Sequence, residues 1–139
     1  MVAAMGPQAL RVTGELADGT LPFLAGPRIF SEQIVPVLTK AAEAAGRPAP
    51  KVLAAVPVIV TDEPEALRTI AVEQLAFYSR ILSYQKVLAA EGVDHPADLA
   101  IIGDDKTVTD GLRRYYDAGA TDILASKTGL RSSSDRLRT

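Results

Sequence analysis

The chain has 139 residues, 47% apolar, 23% charged and 5% aromatic, with no cysteine; this is one domain's worth of chain, apolar enough for a core, without a disulfide framework, thiolate nucleophile or sulfur-ligated metal. Fifteen basic against seventeen acidic side chains give a net charge of -2, which lacks the basic footprint of a nucleic-acid binder. No run reaches the ~18 consecutive apolar residues of a membrane helix, and Met1 to Pro7 lacks the basic segment and apolar length of a signal peptide, so the expectation is a cytoplasmic globular protein.

Val2 to Met5 reads as the end of a strand, entered partway along. Gly6-Pro7 opens a helix, because proline at the first helical position loses only an N–H that has no partner there. Leu10, Thr13, Leu16 and Ala17 share one face of that helix, and Asp18-Gly19 stops it. Thr20 to Leu24 is a run of strand length. After Ala25-Gly26-Pro27, the positions Ile34, Leu38, Ala41, Ala42 and Ala45 recur at helical spacing. Pro36 must kink that helix or mark its start. Gly46 suits a left-handed stop, with Pro48 and Pro50 beyond it.

Lys51 to Thr61 is the strongest strand, and its near-continuous apolarity suits burial on both faces in a parallel sheet. Asp62 followed by Pro64 predicts a helix cap, and Leu67, Ile70, Ala71, Leu75 and Tyr78 form a stripe. A further helix runs from about Leu82 to Ala90 and stops at Gly92. Val93 to Asp98 is a loop, and Leu99 to Gly103 is extended. Val108, Leu112 and Tyr115 define the last helix, with Asp104 or Asp105 as cap and Gly119 as stop. Thr121 to Ala125 is the final strand, and residues 127–139 form a basic, Ser-rich tail or an unfinished helix. Strands alternating with helices argue for βα units and a parallel sheet, an α/β fold.

Most candidate chemistry has a plainer explanation. His95, the lone histidine, reads as a loop residue without metal-ligand or triad partners. Glu63 and Glu65 flank a helix start, where negative charge suits the dipole. Helical spacing places at least one of Tyr115 and Tyr116 in the core. Lys127, Arg131, Arg136 and Arg138 read as a solvated chain end. The local feature above this background is the start: Ala3, Ala4, Met5 and Gly6 run from a strand end into a helix. Small side chains there let backbone N–H groups approach an anion at the helix N-terminus, although small residues in such turns also serve packing.

The stretch Val2-Ala3-Ala4-Met5-Gly6-Pro7 with Ala9-Leu10-Arg11, followed by Gly14-Glu15-Leu16-Ala17-Asp18-Gly19, resembles luciferase-like monooxygenases, and most closely the branch that uses coenzyme F420. Ile34-Val35-Pro36, Ala41 to Pro48, Val60-Thr61-Asp62, Ile102-Gly103-Asp104 and Tyr116 to Asp122 follow in the same order, so the resemblance runs to about Ser126. It implies the C-terminal half of a (β/α)8 TIM barrel over residues 1–126. It also implies an oxidoreductase or monooxygenase that uses F420, a deazaflavin, or alternatively FMN, for hydride transfer to, or oxygenation of, a small organic substrate. The positions matching Ala3, Ala4, Met5 and Gly6 would lie beside the cofactor phosphate. The catalytic acid/base would belong to the other half, so no catalytic residue is assigned and no metal is expected. The rival expectation is a truncated remnant, or a half-barrel that binds cofactor without turnover. Half a barrel leaves open sheet edges and a bare inner face on the central strand, so a homo-oligomer is expected.

Overall fold

The computed structural model describes residues 1–126 and arranges them around one central strand. Helix α1 (Pro7–Leu16) leads to a two-residue strand β1 (Gly19–Thr20). A helical stretch follows, made of α2 (Pro27–Ile29), a π turn over Phe30–Ile34 and α3 (Val35–Ala44). Strand β2 (Lys51–Val60) precedes α4 (Pro64–Leu75), a 3-10 turn at Ala76–Arg80 and α5 (Leu82–Glu91). A second 3-10 turn (Pro96–Leu99), strand β3 (Ile101–Gly103), helix α6 (Asp105–Asp117) and strand β4 (Asp122–Ser126) complete the described chain. The expected tail at 127–139 lies outside the described residues.

Every strand of the sheet pairs with β2, and every pairing is parallel. Lys51 and Ala55 donate their N–H groups to Asp18 and Pro22, whereas Val52 accepts from Thr121. Odd and even residues point to opposite edges of a strand. The β1 segment and β4 therefore flank β2 on its two sides, and β3 extends the pairing along Val58 to Val60. Parallel strands joined through helices are the βα arrangement expected from the alternation of patterns.

The core sits where helices cover this strand. Val52 and all residues from Ala54 to Val58 are buried. Consecutive buried positions cover both faces of β2, so the bare inner face expected of a half-barrel is absent; the chain's own helices and loops cover it. Gly14 lets α1 press against α3, since a Cβ there would lie 2.7 Å from the Ala41 Cβ. The π turn falls immediately before Pro36, with the Val35 N–H reaching back to the Phe30 carbonyl. Widening that turn accommodates the proline that the sequence marks as a kink or a start. Gly46 and Gly92 end their helices at φ +68° and +73°, as their positions predict.

Several boundaries differ from expectation. Leu16 is 75% exposed rather than part of the buried face of α1, which is Leu10, Thr13 and Gly14. Asp62 does not cap α4; Glu63 occupies the cap position, and Thr61 Oγ1 accepts its N–H at 3.0 Å. Val2 to Met5 is not a strand but a single bridge at Val2, opposite Thr20.

Candidate functional site

The turn from Val2 to Gly6 is shaped by one hydroxyl. Val2 makes one rung of ladder, donating to Gly19 O at 3.2 Å and accepting from Leu21 N at 3.0 Å. The chain then leaves the sheet, and Thr20, which is completely buried, takes over. Its Oγ1 accepts the Ala4 N–H at 3.1 Å. Its single proton lies between the carbonyls of Val2 at 2.8 Å and Ala4 at 3.0 Å. Ala4 is thereby tied down by both backbone groups and buried, while Ala3 and Gly6 stay exposed and Met5 is half-buried.

Helix α1 begins immediately after this turn. Gly6 is its N-cap, Pro7 follows at the first helical position, and no side chain caps the end. The first helix-internal bond is Leu10 N to Gly6 O at 2.9 Å, so the N–H groups of Gln8 and Ala9 have no helical acceptor. The N–H groups of Met5 and Gly6 also have no partner among the described residues. Gly6 has φ -76° and ψ 153°, a conformation open to any residue, and a Cβ built on it meets nothing within 4 Å. Neither backbone nor packing calls for a glycine there.

Two hollows adjoin this point. A cleft of about 480 Å³ lies between Met5-Gly6-Pro7 and residues of the later helices, among them Gln33, Leu82 and Lys86. Lys86 brings a positive charge to the same cleft as the uncapped helix end. A second, largely apolar groove of about 810 Å³ runs along α1 past Val2, Ala3, Val12 and Leu16.

The other sequence candidates are structural. His95 is partly buried; its Nδ1 accepts from Ala97 N at 3.0 Å, and its own N–H donates to Asp98 Oδ2 at 3.1 Å, a reciprocal cap on the Pro96–Leu99 turn. Tyr115 is the core tyrosine, packed edge-on to Phe30 at 5.7 Å, and Tyr116 is exposed. Glu65 lies in the first turn of α4, as dipole logic suggests. Among the described residues, no three His, Asp or Glu side chains converge as metal ligands. The tail basic residues Lys127, Arg131, Arg136 and Arg138 lie outside the described chain.

Sequence reasoning missed two contacts. Thr20 is one. The other is Glu91, whose carboxylate accepts from the Ile29 N–H at 2.6 Å and the Arg28 N–H at 3.3 Å. It thereby caps α2 from the far end of α5. Both act over long sequence separations, where no local pattern announces them.

The family profile of luciferase-like monooxygenases matches residues 1–122. The chain belongs to the luciferase-like monooxygenase family. Solved structures agree on the fold of this luciferase-like chain. The coenzyme F420-dependent tetrahydromethanopterin reductase of Methanopyrus kandleri superposes with a TM-score of 0.69 at 24% identity, over 86% of this chain and 42% of that one. An F420-dependent secondary alcohol dehydrogenase gives 0.63 at 18% identity, over 88% and 41%. The oxygenating constituent of 3,6-diketocamphane monooxygenase from Pseudomonas putida, solved in complex with FMN, gives 0.61 at 18%, over 89% and 40%. The luciferase-like chain thus spans about two fifths of the length of these structures. No curated protein matches it.

Proposed function

We propose that this chain provides the phosphate-binding turn of a luciferase-like oxidoreductase that uses coenzyme F420 or FMN. The carrying observation is Gly6: a glycine that neither conformation nor packing requires, at an uncapped helix start, beside the unpartnered N–H groups of Met5 and Gly6. Aligned N–H groups at a helix N-terminus suit an anion. The cofactor's phosphate would rest on these donors. Ala3 and Ala4 would leave room beside it, and Lys86 would add charge from across the cleft. When bound, such a cofactor supplies the redox chemistry, either hydride transfer or oxygenation of a small organic substrate. The residues of this chain bind and orient it. Thr20 holds the turn in place, and Ala4, with its backbone already satisfied, acts as a spacer rather than a donor.

F420 is the first expectation, on the resemblance of the sequence to that branch; FMN is the alternative, since relatives of this fold include both kinds. A fluorescence titration with each cofactor tests the reading. Saturable binding of either one supports it, and binding of neither overturns it. A second reading is cofactor binding without turnover. Hydride transfer assayed with bound, reduced cofactor separates the two.

A further inference from the structure

A third hollow carries chemistry that the cofactor reading does not use. It measures about 210 Å³ and lies between α4, β3 and α6, with Arg68, Arg114 and Tyr115 in its lining. It shares no lining residue with the cleft at Gly6. Ile101 and Ile102 supply lining from β3. Helix α6 sits close on that strand because residue 111 is glycine, whose Cβ would lie 2.8 Å from Ile101 Cγ2.

Its polar groups are unspent. Neither Arg68 nor Arg114 takes part in an ion pair among the described residues. Tyr115 is only 2% exposed; its hydroxyl has no hydrogen-bond partner among the described residues and is not fully enclosed. Burial, helped by the charge of Glu91, pushes the Tyr115 hydroxyl well above its ordinary range, so it stays a neutral donor. Asp98 also lines the hollow, but one of its oxygens is held by the His95 N–H. With two guanidinium groups against one carboxylate, the hollow has a net positive lining.

We propose that this hollow is a binding site for a phosphate group, held by the guanidinium forks of Arg68 and Arg114 and by the Tyr115 hydroxyl. Planar guanidinium groups match tetrahedral oxyanions with paired, charge-assisted hydrogen bonds. The volume admits a phosphate but falls below the ~300–1,000 Å³ of pockets that enclose larger ligands. Anything attached to the phosphate would therefore extend into solvent. This site is independent of the cofactor reading.

Calorimetric titration with inorganic phosphate, at ionic strength fixed with chloride, tests it. Saturable binding is expected, weakened roughly tenfold or more by Arg68→Ala and by Arg114→Ala, since each removes charge-assisted bonds. Tyr115→Phe should lower affinity severalfold with the melting temperature unchanged, because it breaks no internal hydrogen bond. Arg80→Ala, which removes an exposed arginine outside the hollow, should leave phosphate affinity intact. A parallel titration with glycerol phosphate identifies the source: tighter binding than phosphate marks the end of a larger ligand, and equal or weaker binding marks the free ion. Absence of saturation, or losses at Arg68 and Arg114 no greater than at Arg80, overturns the proposal.

Discussion

Thr20 performs at one residue what a longer strand would do with several. A two-residue β1 cannot hold Val2 to Ala4 in register by ladder bonds alone, so a buried hydroxyl spans both carbonyls and one N–H. Thr20→Val keeps the shape but leaves the Ala4 N–H only its bond to the Val2 carbonyl and leaves the Ala4 carbonyl without its donor. The expected cost is about 1–3 kcal/mol, the range for buried polar groups left unsatisfied, measured by urea denaturation; Thr20→Ser should recover most of it. Gly6→Val is the functional counterpart. The site has room for the side chain and no positive φ to resist it, so the variant should melt like the parent. Cofactor affinity should nevertheless fall by about 1–3 kcal/mol as the approach to two N–H donors closes. Unchanged affinity in the folded variant would return the small residues to a packing role. Of this site, the small side chains and the helix start are legible in the sequence, because they are neighbours along the chain. The Thr20 clamp is not, since it joins positions sixteen residues apart.

At the scale of elements, helices with a strong apolar period and a glycine stop are readable, and α3, α5 and α6 end or begin where Gly46, Gly92 and Asp104 indicate. Short pieces are not readable, because tertiary contacts rather than propensity define them. Val2 to Met5 has strand-like residues, but only one rung forms before Thr20 diverts the chain. The start of α2 depends on a side chain from elsewhere: a Cβ on Gly26 would overlap the Glu91 carboxylate that caps it. Gly26→Ala should expel that carboxylate, so it and Glu91→Ala remove the same interaction. Their stability losses, each on the order of 1 kcal/mol for a lost cap, should be strongly non-additive in a double-mutant cycle. Helix α6 carries its own cap, as Asp104 Oδ1 accepts the Thr107 N–H at 2.8 Å. That bond holds the Asp104 carboxyl below its ordinary 3.8, with the Lys106 charge adding to it. A carboxyl depressed in the folded state contributes stability above its unfolded value and loses it as pH falls through the folded one. Acid titration below about pH 4 should therefore fray the start of α6, as seen in amide exchange at Thr107 and Val108. Asp104→Asn keeps a cap and removes this part of the acid response.

At the scale of the molecule, the sheet formed by the described residues is open at both sides. On one side, Val2 is 50% exposed beside the apolar groove along α1; on the other, β4 presents Leu124, 51% exposed. Neither edge carries the lysines or prolines that commonly block strand pairing. The central strand needs no cover, because its own chain buries it, so within the sheet the two edges are what is left to pair. We propose a two-fold pair in which the Val2 edge of each copy meets the β4 edge of the other, an arrangement that closed symmetry allows. Light scattering at micromolar concentration should give a dimer mass, and a charge placed in the groove by Val12→Lys should reduce it to the monomer. A parent protein that is monomeric under those conditions contradicts this arrangement.

The proposed function requires that a cofactor phosphate rest on the backbone of Met5 and Gly6. Amide NMR spectra recorded while F420 or FMN is added to the protein read those two groups directly. Saturable shifts are expected at Met5 and Gly6, with smaller ones at Gln8 and Ala9 in the first turn, all displaced to higher cofactor concentration in Gly6→Val. Binding that moves other amides and leaves Met5 and Gly6 where they stand would contradict it.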